Sequence, residues 1–273
     1  MFGELTAVDL VRRIDEALEA AARAMSVFVP GATKAEYKPG QDPVTEADHT
    51  ANRVLRELLL RDGEGWLSEE SADDLGRLDR ERVWVVDPLD GTREFVQGIP
   101  EWCISIALVE RGQAVAGGIL NPATGEKILG SLAGGVTYNG QPASPSLRDS
   151  LAGALVLGSR SEAKRGEWKR FEGGSFTVRH VGSVAYKLGL VAAGKADATW
   201  TLVPKNEWDV AAGTALVTAA GGFVRRLEGP PPVFNNRSPL MTGLIAGGPN
   251  LRQAIDDVLE AYLVAPQTGS LGG

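Results

Sequence analysis

Apolar residues recur every three or four positions in the first part of the chain, a spacing typical of amphipathic helices. Between Thr6 and Val29 they predict one such helix, with Thr6 as its N-cap and Asp9 in its first turn. The same spacing from Thr45 to Leu59 predicts a second helix. We therefore expect the chain to begin with two helices that each bury one apolar stripe.

Short runs rich in β-branched residues follow from Gly65 onward and predict the strands of a sheet. These runs lie at 66–68, 83–86, 104–108 and 114–116. Asn139-Gly140 is a typical dipeptide of a tight hairpin turn. The polar stretch from Pro142 to Ser150 then predicts a domain boundary.

Strands and helices alternate beyond this boundary, which predicts a second unit of α/β type. The predicted strands lie at 154–157, 176–179, 196–200 and 244–246, and the predicted helices at 162–171, 183–193, 208–220 and 250–263. We expect residues 1–145 and 146–263 to form two domains, followed by a disordered tail at 264–273. The strand pattern predicts a mixed α and β fold but not the order of its strands.

The balance of acidic and basic residues argues against some classes of binding partner. The chain has 28 basic and 35 acidic residues, a net charge of −7, which opposes binding to a nucleic acid polymer or an anionic membrane surface. No apolar run approaches the roughly 20 residues that cross a bilayer. Met1 to Glu4 lacks the basic patch of a secretory signal, and Cys103 is the only cysteine. We expect a soluble, cytoplasmic protein that acts on a small ligand.

The densest candidate site is Val85-Val86-Asp87-Pro88-Leu89-Asp90-Gly91-Thr92, where an apolar strand runs into two carboxylates. Carboxylates three residues apart converge only if the backbone turns between them, and Pro88 and Gly91 favour such a turn. Hard oxygen ligands suit Mg²⁺, and no His or Cys lies nearby to favour zinc. We therefore predict a magnesium site at the end of this strand, to which the Leu89 carbonyl can also contribute.

Spacing excludes two other interpretations of this segment. A calcium-binding EF-hand loop starting at Asp87 needs an oxygen ligand at its third position and Glu at its twelfth, where Leu89 and Gly98 stand. A phosphatase of the haloacid dehalogenase type needs Asp two residues before Asp90, where the chain has Pro88. A structural interpretation stays open on this segment alone, namely a strand-to-helix turn capped by Asp90.

Three other acidic motifs accompany this segment. They are Asp42-Pro43-Val44-Thr45-Glu46-Ala47-Asp48, Ser68-Glu69-Glu70-Ser71 and Glu207-Trp208-Asp209-Val210-Ala211-Ala212-Gly213. In this order the four motifs resemble those of the inositol monophosphatase superfamily, from about residue 6 to about residue 222. The resemblance implies an α+β fold, the layered αβαβα sandwich of the inositol monophosphatase and fructose-1,6-bisphosphatase type, with the site between its two parts.

The resemblance also implies which residues hold metal. Asp87 would bridge two Mg²⁺ ions. Glu69 and the Leu89 carbonyl would complete the protein ligands of the first ion, and Asp90 and Asp209 those of the second. Two or three ions are implied, and three would neutralise four carboxylates and a phosphate dianion. Sensitivity to lithium is implied by the same motifs.

The implied reaction is the hydrolysis of a phosphate monoester by a metal-activated water, without a covalent phosphoenzyme. Thr92 and Glu70 would position this water, and Asp48 would lie in the outer shell of a third, weaker Mg²⁺. The amides of Gly91 and Thr92 would bind phosphate oxygens at the start of a short helix. Each residue taken singly also has a structural explanation, but their joint occurrence in the family order favours the site.

The metal motifs do not separate enzymes for inositol phosphates, fructose 1,6-bisphosphate, histidinol phosphate and nucleotide 3′,5′-bisphosphates. Arg93-Glu94-Phe95 and Ser159-Arg160-Ser161 resemble segments of the bisphosphate nucleotidases, and Leu202 stands where inositol enzymes typically carry Glu. The resemblance therefore favours a 3′(2′),5′-bisphosphate nucleotidase, which converts 3′-phosphoadenosine 5′-phosphate to AMP. The alternative is an inositol-1-monophosphatase or another sugar or polyol phosphatase.

Substrate contacts are predicted from position. Gly182, Ser183 and Val184 fall where the family contacts the organic part of its substrate, and Lys187 and Lys205 are hypothesised to meet a second phosphate. Two lysines on the surface are an equally good explanation of the last pair. A module of the same fold that binds a phosphorylated ligand without hydrolysis is the non-enzymatic alternative. Homodimers are common in the family, but no segment identifies an interface.

Overall fold

The structure is a computed structural model that describes residues 6–37 and 43–264. The predictions made for Met1 to Glu4, for Asp42 and for the tail from residue 265 lie outside the described residues. None of the described helices combines the length and the apolar character that a membrane span requires.

Seven α-helices lie in the described ranges. They are α1 (Ala7–Met25), α2 (Glu46–Leu59), α3 (Thr92–Gln97), α4 (Arg160–Lys164), α5 (Val184–Ala192), α6 (Glu207–Ala219) and α7 (Arg252–Val264). The predicted cap of α1 is confirmed, since the Thr6 side chain accepts a backbone hydrogen bond there, and Thr45 caps the start of α2 in the same way. The helix predicted at 162–171 ends early because Gly166 adopts a φ of +85°, and only a short 3₁₀ turn follows it.

Two sheets organise most of the strands in the part of the chain that the structure describes. The strands are β1 (Glu36–Tyr37), β2 (Pro43–Val44), β3 (Gly65–Ser68), β4 (Arg82–Asp90), β5 (Cys103–Glu110), β6 (Gln113–Asn121), β7 (Glu126–Ser131), β8 (Gly135–Tyr138), β9 (Gln141–Ala143), β10 (Leu155–Ser159), β11 (Thr177–Val181), β12 (Ala198–Trp200), β13 (Lys205–Asn206), β14 (Phe223–Arg226), β15 (Leu240–Met241) and β16 (Leu244–Gly247). The large sheet has the order β3-β4-β5-β6-β7-β8-β9, and the small sheet has the order β11-β10-β12-β16-β14. Tyr138 pairs with Gln141 across the predicted Asn-Gly turn, which confirms that hairpin.

The elements stack as the predicted αβαβα sandwich. Helices α1 and α2 cover one face of the large sheet, where Ile14 and Leu55 are fully buried with Trp84 of β4. Helices α5 and α6 lie between the two sheets, and Leu188 and Leu216 belong to that middle core. Helix α7 packs on the outer face of the small sheet. The middle core draws residues from both sides of position 145, so it joins the two predicted domains, whose division stays a prediction.

The way β4 ends places the candidate site. Strands β3 and β4 run parallel, so their carboxyl ends meet at one edge of the large sheet. The pairing of β4 with β5 shifts register between Asp87 and Asp90, an irregularity that turns the strand end. Gly91 follows with a φ of +99°, and a Cβ at this position would lie 3.1 Å from atoms of Trp102. The turn predicted between the two carboxylates is thus a register shift inside β4, and the chain turns only after the strand, at Gly91, whose conformation favours glycine.

Candidate active site

One cavity of about 270 Å³ collects most of the predicted site residues. It lies where the end of β4 meets the first turns of α3, α5 and α6. The predicted residues that line it are Glu69, Asp87, Leu89, Asp90, Gly91, Thr92, Gly182, Ser183, Val184, Lys187, Lys205 and Asp209. A larger cavity of about 890 Å³ beside α1 has none of these residues among its described lining. The acidic motifs, far apart in the sequence, therefore converge on one place.

Three carboxylates at the floor of this cavity form a cluster suited to a cation. Oxygens of Glu69, Asp87 and Asp209 lie within 4.8 Å of one another. Burial, followed by the charges of Glu69, Asp90 and Asp209, raises the pKa of Asp87 well above its usual value. Burial, followed by Asp90 and Glu69, raises the pKa of Asp209 to about 8. A divalent cation would relieve this crowding of like charges, and the all-oxygen donor set fits Mg²⁺.

Asp90 is held from the opposite side of the cavity. Its Oδ2 accepts a 2.6 Å hydrogen bond from the Ser183 hydroxyl and another of 2.6 Å from the Ala185 amide. Helix α3 instead begins at Thr92, and its N-cap residue is Gly91, which offers no side-chain hydrogen bond. The interpretation of Asp90 as the cap of the following helix is therefore wrong, because its carboxylate binds the first turn of α5. This contact joins the strand end to the predicted substrate segment.

Thr92 of the cavity lining is paired with the buried Asp48. The Thr92 hydroxyl lies 3.0 Å from Asp48 Oδ1 and 3.0 Å from the Leu89 carbonyl oxygen. Asp48 Oδ2 accepts hydrogen bonds from both the amide and the hydroxyl of Thr45. Burial is the main cause that raises the pKa of Asp48. Because both of its oxygens accept hydrogen bonds, Asp48 is fixed as a partner of Thr92.

Glu70 lies on the turn that carries Glu69, and its side chain is buried. Asn52 braces this turn, because its amide group donates to the Glu70 carbonyl at 3.1 Å and accepts from the Ser68 hydroxyl at 2.8 Å. Asn52 was not predicted as a site residue from the sequence. A signal was present, since Asn52 lies four residues after Asp48 and so on the same face of α2.

Four basic residues also line the cavity, and we call them the basic wall. They are Arg93, Arg160, Lys187 and Lys205. The Lys187 side chain is 2% exposed and donates to the Ser183 carbonyl at 2.6 Å and the Val181 carbonyl at 3.2 Å. Burial lowers the pKa of Lys187 to about 8. Lys205 Nζ lies 3.5 Å from Glu162 Oε1, and its side chain is 15% exposed. Neither lysine is a free surface residue, so that explanation of the pair is wrong.

A further acidic residue, missed from the sequence, joins both sides of the cavity. Glu101 Oε2 accepts a 2.8 Å hydrogen bond from the Gly182 amide and one of 3.2 Å from Arg160 Nε. Glu101 thereby holds the first residue of α4 against the loop before α5. Its position in the connection between α3 and β5 has no recognisable motif. Only the fold brings these three residues together.

The chain matches the family model of the inositol monophosphatase family over residues 4–261. It belongs to the inositol monophosphatase family. An inositol-1-monophosphatase of Rhizobium meliloti is 33% identical over 229 residues, which cover 80% of this chain and 83% of that protein. Family membership confirms the predicted superfamily, and it makes the chain a phosphoric monoester hydrolase.

Solved structures of the family agree with the observed layers. The extragenic suppressor protein suhB from Bartonella henselae superposes with a TM-score of 0.79 at 29% identity, covering 92% of this chain and 98% of that one. CysQ from Bacteroides thetaiotaomicron, a bacterial family member, superposes with a TM-score of 0.73 at 26% identity, covering 90% and 99%. Relatives with different names therefore share this fold, so the fold alone does not determine the substrate.

Proposed function

We propose that the protein is a Mg²⁺-dependent phosphomonoesterase whose substrate carries a second phosphate, with 3′-phosphoadenosine 5′-phosphate as the first candidate. The observation that carries this proposal is that the carboxylates of the floor and the four residues of the basic wall line one and the same cavity. The floor suits cations that face a phosphate under attack. The wall suits an anionic group elsewhere on the same small molecule.

The proposed metal ligands are the carboxylates of Glu69, Asp87, Asp90 and Asp209 and the carbonyl of Leu89. When bound, Mg²⁺ supplies positive charge to the phosphoryl oxygens and makes a coordinated water more acidic. The carboxylates provide the hard oxygen ligands that this ion prefers. Burial, together with their mutual repulsion, favours protonated carboxyls when no cation is bound, as the raised pKa values of Asp87 and Asp209 indicate.

The remaining residues position the reactants. Thr92, held by Asp48, presents its hydroxyl oxygen to the attacking water, and Glu70 assists from the neighbouring turn. The amides of Gly91 and Thr92 contact the phosphate. Attack of the water on phosphorus breaks the bond to the alcohol oxygen, which leaves protonated as the alcohol while inorganic phosphate forms. The contribution expected from positioned acid and base groups of this kind is about 10² to 10⁴ in rate.

Substrate choice rests on the basic wall. Lys187 and Lys205 are proposed to meet the second phosphate, while Gly182, Ser183 and Val184 contact the organic part. The likeness of the 93–95 and 159–161 segments to those of bisphosphate nucleotidases supports this choice, since both segments contribute to the cavity lining. The name of the Rhizobium relative supports the alternative, an inositol-1-monophosphatase. A cytoplasmic location and a homodimer stay predictions.

A substrate panel tests the proposal. Phosphate release is measured with 3′-phosphoadenosine 5′-phosphate, inositol 1-phosphate, fructose 1,6-bisphosphate and histidinol phosphate. We expect the highest kcat/KM with the nucleotide and a selective rise in its KM for Lys187→Met and Lys205→Met. Lys164→Met, at an exposed position of α4, is the matched control and should change nothing. A preference for inositol 1-phosphate would support the alternative, and no release from any substrate would support the binding module.

A further inference from the structure

The first turn of α6 carries Asp209, and a buried network outside the cavity holds this turn. Glu207 is fully buried. Its carboxylate accepts three hydrogen bonds from the loop between β14 and β15, from the Asn235 amide at 2.7 Å, the Asn236 amide at 2.9 Å and Asn236 Nδ2 at 2.7 Å. Its own backbone amide donates to the Pro239 carbonyl at 2.8 Å. The start of α6 is thus fastened to one loop by four contacts.

The same loop is fastened to the large sheet by Arg77. Arg77 Nη1 donates to Asn235 Oδ1 at 2.7 Å and Nη2 donates to the Asn236 carbonyl at 2.8 Å, while Asn235 Nδ2 donates back to the Arg77 carbonyl at 3.1 Å. Asp73 also accepts from the guanidinium. Arg77 packs against the start of β3, where a Cβ on Gly65 would lie 3.0 Å from Arg77 Cβ. The Arg77 side chain is therefore buried, and contacts with the loop, with Asp73 and with the start of β3 fix its position.

We propose that this network sets the affinity of the metal site by fixing Asp209 relative to Glu69. We name it the Arg77 clasp, and it consists of Arg77, Asn235, Asn236 and Glu207. One end of the clasp packs on β3, the strand that leads directly to Glu69. The other end holds α6 two residues before Asp209. The inference rests on the proposed magnesium site, and it assigns positioning residues that do not line the cavity.

The carboxylate cluster of Glu69, Asp87 and Asp209 explains why the site needs such a clasp. Oxygens of three carboxylates lie within 4.8 Å of one another, so in the ionised form that binds a cation they repel one another and push the turn after β3 away from α6. A cluster that relaxes before binding must be reassembled when the cation enters, which weakens binding. Residues that orient metal ligands from behind typically change metal affinity by about 10- to 100-fold when substituted.

Arg77→Met distinguishes a positioning role of Arg77 from a simple effect of its charge, because the two predict opposite changes in the affinity for Mg²⁺. Loss of a positive charge near a cation site would by itself tighten Mg²⁺ binding. Loss of the clasp should weaken it, and we expect a Kd for Mg²⁺ about 10-fold higher, measured by isothermal titration calorimetry on the whole chain. Arg111→Met is the matched control, since Arg111 forms only an exposed pair with Glu81 among its described contacts of this kind. The control should bind Mg²⁺ like the wild type.

Arg77→Lys keeps the charge and the long stem but loses the fork that reaches two partners. We expect it to weaken Mg²⁺ binding as well, which keeps the test decisive if the methionine variant fails to fold. An unchanged or lower Kd in a folded clasp variant overturns the clasp, even if its thermal midpoint falls. A wild-type chain that binds no Mg²⁺ instead overturns the proposed function. The two failures are thus distinguished in the same titration.

Discussion

The hydroxyl of Thr92 donates a 3.0 Å hydrogen bond to Asp48 across 44 positions of the sequence. It comes from the first residue of α3, and the carboxylate comes from the first turn of α2. A proton directed to Asp48 leaves the lone pairs of the hydroxyl oxygen available to a water in the cavity. The pair therefore orients Thr92 so that its hydroxyl donates to Asp48 and its oxygen can accept a hydrogen bond from the water.

Thr92→Val removes this hydroxyl at nearly constant volume. We expect kcat to fall by about 10² or more, because a positioned acceptor for the attacking water is lost. Thr92→Ser keeps the hydroxyl and should keep most of the activity. Phosphate release at saturating Mg²⁺ measures both variants. Equal activity of the valine variant and the wild type would remove Thr92 from the mechanism.

Asp90→Asn tests a residue that accepts hydrogen bonds from the first turn of α5 and is also proposed to bind the metal. An amide oxygen can still accept from Ser183 and from the Ala185 amide, so the fold should survive with a loss of about 1 kcal/mol, typical of one hydrogen bond. Turnover should be abolished, since a metal ligand loses its charge. Urea unfolding and phosphate release are measured on the same preparation. Unaltered turnover would reject the assignment of the metal site.

Removal of divalent cations should lower the thermal midpoint, because Mg²⁺ at 100 times its Kd stabilises a protein by about 2.7 kcal/mol. In EDTA, Asp209→Asn should unfold at a higher temperature than the wild type, because the variant has one charge less in the cluster. With Mg²⁺ bound, the wild type should be the more stable of the two. The pKa of Asp209 is raised from 3.8 to about 8. The metal-free wild type should therefore lose stability as pH rises through this interval, and the asparagine variant should lose less. Differential scanning fluorimetry with and without Mg²⁺ tests this pattern, and an identical slope in both proteins would contradict it.

Lys187 predicts a pH dependence of substrate choice. Its folded pKa is lowered from 10.5 to about 8, so its positive charge is present below that value and lost above it. We expect the ratio of kcat/KM for the nucleotide bisphosphate to that for inositol 1-phosphate to fall as pH rises through 8. Lys187→Met should show a low ratio that does not change in this range. A wild-type ratio independent of pH would indicate that Lys187 does not meet the second phosphate.

Local signals were sufficient for most helices and for the metal motifs. Thr6 and Thr45 precede apolar stripes and do cap α1 and α2. The carboxylates at the end of β4 could be recognised because a strand, a turn and a glycine occur within eight residues. Strand β7 was not predicted, since Glu126, Lys127 and Gly130 interrupt its apolar pattern. Sequence reasoning thus succeeded where the determining contacts are only a few residues apart.

Contacts between distant segments determine the rest of the site. Asp48 resembles an ordinary first-turn residue until the fold buries it against Thr92. Lys187 is buried because α5 lies between the two sheets and its residues Ala185 to Ala192 are all buried. Its position in an otherwise apolar helix was a usable signal. Arg77 and Glu207 had none, since their partners lie in a loop about 158 and 28 residues away.

Release of phosphate from 3′-phosphoadenosine 5′-phosphate, measured in EDTA and across a Mg²⁺ titration, tests the central claim most directly. The account predicts no release in EDTA, saturable release with Mg²⁺, and no release at any Mg²⁺ concentration from Asp87→Asn, which lacks the charge of the proposed bridging ligand. Full activity in EDTA, or an asparagine variant as active as the wild type, would contradict the carboxylate-held metal site on which the mechanism depends.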